Sequence, residues 1–123
     1  TIKLINNFFA MTTANAMAEA FAMSDAAGVD RAALYNVMSA GPLKSGMMDF
    51  IKAYAVDGDA NMLAFSIKNA AKDVGYYRQM AEDLGFGTIM SNATISALTQ
   101  ARDSGMAEDM VPEIVEFYSK RRG

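Results

Sequence analysis

Lys3 and Asn7 lie four residues apart near the start of a long, otherwise apolar stretch, and on a helix that spacing puts them on one face. Around them stand Leu4, Ile5, Phe8, Phe9, Ala10 and Met11, with Asn6 as a second amide. Desolvation disfavours the charged form of an ammonium group, so a lysine held among apolar side chains is suited to giving and taking a proton. The residues alone leave a second reading open, in which Lys3 snorkels from a helix end into solvent with two amides nearby.

A second group runs from Phe65 to Asp73. Phe65, Lys68, Lys72 and Tyr76 follow one another at +3, +4 and +4, the spacing of one helical stripe. If Lys72 approaches Lys3, repulsion between the two ammonium groups favours the neutral amine and helps Lys3 exchange a proton near neutral pH. The alternative is a solvated Lys72–Asp73 pair worth at most about 1 kcal/mol. Gly41 to Ser45 forms a third group, in which Ser45 is simplest to read as a helix N-cap.

Other segments imitate sites without completing them. Asp57-Gly-Asp-Ala-Asn61 begins like a calcium loop, but Met62 stands where glycine is needed and no closing glutamate follows at the right distance. Gly85-Phe-Gly87 follows a helix rather than a strand and lacks a third glycine, so it reads as a helix stop. Glu108, Asp109, Glu113 and Glu116 read as a solvated face with favourable charge at a helix N-terminus.

The elements that must position these residues are helical. The chain has 123 residues, enough for one domain with one core, and 52% of them are hydrophobic, which excludes a disordered segment. With 11 Met, no Trp and 2 Pro, the composition favours closely packed helices with methionine filling gaps. The spacing predicts helices over Ile2 to about Ala26, with Gly28 just past the end, and over Arg31 to Ser39, capped by Asp30. A third follows Ser45 to about Tyr54, a fourth spans Ala64 to Leu84, a fifth Thr88 to about Ser104, and a last one runs from near Asp109 to Arg121. No period-two alternation is sustained, so the expected class is all-α, about six helices around a long, central, buried first helix. That helix would be roughly 35–40 Å long.

Composition also excludes chemistries. Without Cys there are no disulfides, thiolate ligands or cysteine nucleophiles; without His there is no Ser-His-Asp triad and no His-ligated zinc. No metal is expected, and the lack of cysteine is compatible with a cytoplasmic protein. The net charge of −3 gives no nucleic-acid footprint, and the basic end Lys120-Arg121-Arg122 reads as charge complementing a helix C-terminus. The longest uncharged run, Leu4 to Ala18, is too short to cross a bilayer, and no signal peptide is visible. The chain opens inside a helix at Thr1, which leads us to expect a fragment whose missing part lies upstream.

Lys3-Leu4-Ile5-Asn6-Asn7 resembles the K-x-x-N-N signature of the β-hydroxyacid dehydrogenases, the family of 3-hydroxyisobutyrate dehydrogenase and tartronate semialdehyde reductase. The Phe65 to Asp73 segment resembles that family's F-x-x-x-x-x-x-K-D motif, Gly41 to Ser45 its G-x-x-x-S turn, and Glu19-Ala20 its E-A pattern, for which a buried structural role is expected. The helical domain of 6-phosphogluconate dehydrogenase is similar, but it has His-Asn where this chain has Asn6-Asn7, and it is much longer.

The resemblance implies that residues 1–123 are a C-terminal helical substrate and catalytic domain, of the 6-phosphogluconate dehydrogenase C-terminal-like type. An upstream Rossmann domain would bind most of an NAD or NADP cofactor. Lys3 would be the catalytic acid/base and Asn7 would hydrogen-bond the substrate. Phe65 and Lys72 would border the nicotinamide cofactor or substrate pocket, and Asp73 would orient the lysine or its neighbours. The substrate would be a small hydroxy acid or semialdehyde, the assembly a homodimer or homotetramer, and the fragment alone inactive. Two other readings remain: a non-catalytic binding or scaffold homologue, and an unrelated helical interaction module. Retention of both Lys3 and Lys72 favours the enzyme.

Overall fold

The computed structural model describes residues 1–120. Six α-helices follow in order: α1 Ile2–Ala26, α2 Arg31–Ser39, α3 Gly46–Ala55, α4 Ile67–Asp83, α5 Ile89–Ala101 and α6 Ile114–Ser119. Turns of 3-10 helix at Ala60–Met62 and Val111–Glu113, and a π turn at Arg102–Met106, lie in the connections. Among the described residues there is no strand, only an isolated antiparallel bridge between Ser66 and Met110. The expected all-α class is the observed one.

Helix α1 is the axis, packing against each of the other five helices. Its buried positions Met11, Ala14, Asn15, Ala18, Phe21 and Ala22 recur at intervals of three and four, which keeps one broad face turned inward. They meet Met48 and Ile51 of α3, Ile67, Ala70 and Val74 of α4, Leu98 of α5, and Val111, Ile114 and Val115 near the end of the chain. Burying a side chain the size of Phe21 or Ile51 contributes about 1.5–3 kcal/mol. Fully buried alanines such as Ala14, Ala18 and Ala70 let the helices approach closely. The core starts only at Met11: none of the first ten residues is buried, so the opening turns of α1 project beyond it.

The caps follow the predicted chemistry. Asp30 accepts from the Ala33 amide and Ser45 from the Met48 amide, satisfying first-turn donors of α2 and α3. Gly28 sits at φ +74°, with the Val29 amide donating to the Ser24 carbonyl, which closes α1.

Three boundaries differ from the sequence reading. Helix α4 starts at Ile67, not Ala64, because Ser66 caps it by accepting from the Asn69 amide. The segment just before it is extended: Val111 donates to the Phe65 carbonyl and Ile67 to the Asp109 carbonyl. Helix α5 ends at Ala101, where the chain relaxes into the π turn around Gly105 at φ +103°. The last helix opens as a 3-10 turn around Pro112, with the Glu113 carboxylate accepting from the Met110 amide at 2.7 Å. Lys120 closes α6; the predicted helix end at Arg121 and the basic pair Arg121-Arg122 lie outside the described residues.

Candidate functional site

The projecting end of α1 carries Lys3 and Asn7. Lys3 is exposed, and so are Ile2, Ile5 and Phe9 around it. The expectation of a lysine embedded in apolar surroundings is therefore met in side-chain type but not in burial, since the core begins at Met11, about two turns further on. Asn7 is half-buried and turned toward α4, where its Nδ2 donates to Asp73 Oδ2 at 3.4 Å.

The next contact fixes that register. Phe8 stacks on Tyr77 with ring centroids 4.2 Å apart and planes 6° from parallel. Tyr77 follows Asp73 by one helical turn, so two successive residues of α1 meet two successive turns of α4. Offset aromatic pairs contribute about 0.5–1.5 kcal/mol beyond area burial. Sequence reasoning missed Tyr77 as a positioning element; its signal was the +4 spacing from Asp73, the rule already applied to Lys3 and Asn7.

Lys72 is exposed on α4 beside Asp73. Among the described residues neither Lys3 nor Lys72 has an ion-pair partner, so the solvated Lys72–Asp73 pair does not form. Phe65 is half-buried against the core, held by the extended pairing that precedes α4. It does not share the helical stripe of Lys68, Lys72 and Tyr76 as the spacing suggested, because Ser66 begins the helix after it. The structure thus joins Asn7 directly to Asp73, sets Lys3 one turn before Asn7 and Lys72 next to Asp73, and holds Phe65 just before the start of α4, about two turns from Asp73.

The remaining candidates are structural. Ser45 caps α3 at 3.1 Å. Glu19 is exposed rather than buried, because its side of α1 looks onto the open groove beside α5. From there it adds to the effect of burial on Tyr118, whose phenol is pushed up to about 12. Tyr118 donates to Asn15 Oδ1 at 2.7 Å, and Asn15 donates in turn to the Met11 carbonyl. Asp57 pairs with Lys52, and Asp59 accepts from the Asn61 amide, so the calcium-like segment is spent on local contacts. Glu108 pairs with Lys68 and Glu116 faces Arg31, so the acidic face is partly used in pairing.

The fold is that of the helical part of solved 3-hydroxyisobutyrate dehydrogenases. The Salmonella typhimurium enzyme superposes with a TM-score of 0.86 at 24% identity, over 95% of this chain and 41% of that one. A Mycobacterium tuberculosis 3-hydroxyisobutyrate dehydrogenase, solved with L-serine, gives 0.76 at 16% identity over 98% and 43%. Residues 1–118 match the family described as NAD-binding of NADP-dependent 3-hydroxyisobutyrate dehydrogenase, and the chain belongs to that family. Similar curated proteins include the L-threonate dehydrogenases of Haemophilus influenzae and Escherichia coli K12, each 24% identical over 119 residues. The chain covers 39% of the length of those relatives. No helix among the described residues is long and apolar enough to cross a membrane.

Proposed function

We propose that this chain is the helical domain of an NAD(P)-dependent dehydrogenase of small 3-hydroxy acids, with Lys3 as the general acid/base. The observation that carries the reading is the projecting end of α1, where Lys3 and Asn7 stand together outside the core and Asp73 backs Asn7 from α4. An exposed lysine with no ion-pair partner among the described residues is available to a substrate oxygen. When bound, the nicotinamide supplies or accepts the hydride. Lys3 Nζ gives its proton to the carbonyl oxygen during reduction and is left as the neutral amine; in the oxidation direction that neutral amine takes the hydroxyl proton, and Asn7 holds the substrate.

The residues present suit one wall of a cofactor site. Phe65 offers a ring for stacking on the nicotinamide, and Lys72, without an ion-pair partner among the described residues, a cation for an anionic group. Among the described residues there is no glycine-rich loop opening a helix behind a strand, the feature that takes a pyrophosphate. Most of the cofactor would therefore rest on an upstream Rossmann domain, with residues 1–123 forming the C-terminal domain in the cytoplasm. The relatives' names suggest 3-hydroxyisobutyrate or a related hydroxy acid as substrate.

The test is an NAD(P)H absorbance assay of the upstream-extended protein on a panel of β-hydroxyacids and semialdehydes, with Lys3→Ala in parallel. Turnover that collapses in the variant supports the reading. Cofactor binding without turnover on any acid favours a non-catalytic homologue, and turnover by residues 1–123 alone removes the two-domain reading.

The same reading carries a homodimer or homotetramer. Ile2, Ile5, Phe9 and Met23 of α1 and Ile89 and Met90 of α5 are 49–85% exposed. At roughly 200 Å² per free large side chain they present on the order of 800 Å², the share of one partner in a stable interface. A groove of about 970 Å³ between α1 and α5, floored by Ala16, Ala93 and Ala97, runs beside them, and a second copy is the occupant we assign. Sedimentation of the intact protein should give a dimer or tetramer that Phe9→Glu weakens; a monomer would leave this face to the upstream domain.

A further inference from the structure

We propose that the second copy enters the groove between α1 and α5 with its own α1, which runs antiparallel to the first and crosses the two-fold axis level with Ala14. This deepens the homo-oligomer reading and rests on it. Helix α1 has two faces. One, between Met11 and Ala22, is buried in the core. The other keeps an unbroken spacing of three and four along the whole helix: Ile2, Ile5 and Phe9 in the first half, then Thr12, Ala16, Glu19, Met23 and Ala26. All of these are exposed except Thr12, which is half-buried. A repeat of seven sustained over a helix is the pattern of one helix pairing with another. At about 100° per residue, Lys3 and Asn7 fall roughly 150° from this seam, so the pairing leaves their face of α1 open.

Size and charge set the direction. Ile2, Ile5 and Phe9 are large and exposed. The second half of the seam runs along the groove, whose walls are Ala16, Ala22 and Ala26 on one side and Ala93 and Ala97 on the other. A hydrogen bond between the Thr12 and Thr94 hydroxyls, at 2.8 Å, ties the two walls together. Large side chains pack best opposite small ones. Laid antiparallel, Ile2 meets the partner's Ala26, Ile5 the partner's Met23, Phe9 the partner's Glu19 and Thr12 the partner's Ala16. The two-fold repeats each layer, and no seam position is left over. The Glu19 carboxylate then lies by the positive edge of a phenylalanine ring, and the two copies of it stand about 15 Å apart, beyond a Debye length. A parallel pair would instead set Phe9 on Phe9, alanine on alanine, and two Glu19 carboxylates against each other in the seam. The antiparallel pair also places the two Lys3 residues at opposite ends, about 33 Å apart along the axis.

The experiment uses the intact protein, with Ile5→Cys and Met23→Cys made singly and together, and a short bis-maleimide; residues 1–123 contain no cysteine of their own. Within one chain positions 5 and 23 lie about 27 Å apart along α1, beyond the reagent's reach, so a link between them joins two chains. Both side chains are exposed, so the substitutions leave the core untouched. We expect the double variant to double in mass on a denaturing gel, with the link between positions 5 and 23 located by peptide mass spectrometry, and neither single variant to link to its own copy. Ile2→Cys with Ala26→Cys should link in the same way, and failure of either pair overturns the register. Links between two copies of position 5, or two of position 23, would overturn the antiparallel direction. Sedimentation of the unmodified protein separates the remaining outcomes. A dimer or tetramer without these links sinks the proposal and leaves the homo-oligomer reading standing, whereas a monomer sinks both.

Discussion

Helix α1 ends in two polar clusters that differ in one respect: at its C-terminal end nearly every polar atom is satisfied, and at its N-terminal end the ones that matter are not. Asp25 takes two hydrogen bonds from Arg31, at 2.9 and 2.6 Å, and a third from Ser119 at 2.8 Å. Arg31 also donates to the Ala55 carbonyl at 3.0 Å and faces Glu116 at 3.5 Å. One guanidinium thereby ties α1, α2, α3 and α6 together. Its hydrogen bond to Asp25, the largest cause, raises its pKa further against the opposing effect of burial. Toward the other end of α1, Lys3 has no ion-pair partner among the described residues and Asn7 has one hydrogen-bond partner, at 3.4 Å. A guanidinium that makes four hydrogen bonds to protein acceptors serves stability; a cation left without an acceptor is available to something that is not in the chain.

This contrast can be broken from either end. The largest expected effect is on activity: Lys3→Ala in the intact protein should lower kcat/KM by about 10²–10⁴-fold. Its unfolding midpoint should barely move, since an exposed side chain with no partner contributes little to the fold. A loss of stability equal to that of Arg31→Ala would erase the distinction. Arg31→Ala should behave in the opposite sense, destabilising the helical domain by about 2 kcal/mol in urea unfolding. That is below the 3–5 kcal/mol of a fully buried pair, because both partners retain some exposure. Its kcat/KM under folding conditions should stay near wild type.

A smaller effect is expected midway along α1. Tyr118→Phe removes the donor to Asn15 Oδ1 and should cost about 1.5 kcal/mol. It also changes the alkaline limb of stability. The free phenol ionises near 10, while burial of Tyr118 pushes it up to about 12. Between those values the unfolded chain has released the proton that the folded one keeps. The stability tied to the protonated phenol is therefore complete below about pH 10 and is lost as pH rises toward 12. Urea midpoints measured across that window should fall more steeply in wild type than in Tyr118→Phe; parallel curves would mean that the phenol is not protected. The smallest effect is at the turn beyond Asp25. Gly28→Ala meets no neighbouring atom but must adopt φ +74°, and should cost about 1 kcal/mol. No change in midpoint would show that the turn relaxes.

Much of this was legible in the chain. The period of three and four along α1, the caps Asp30 and Ser45 and the stop at Gly28 are local rules, set by backbone donors and φ preferences within a few residues. The family was legible too, since motif residues keep their spacing. The start of α4 was not: Phe65 has the right spacing for the helix, but a bridge to residues more than forty positions away pulls it into extended backbone, and only then does Ser66 cap. Glu19 failed for a similar reason, because whether that face of α1 is buried depends on how far α5 stands from it.

The sequence by itself determined the helices, their caps and the presence at one helix end of a lysine and an asparagine a turn apart, since each depends on hydrogen bonds and periodicity local to the chain. Only the tertiary structure decided that Asn7 meets Asp73, that Phe8 locks that meeting by stacking on Tyr77, and that Lys3 stands beyond the core. Those contacts join residues about seventy positions apart, and their geometry is set by how two helices pack, which no local rule encodes.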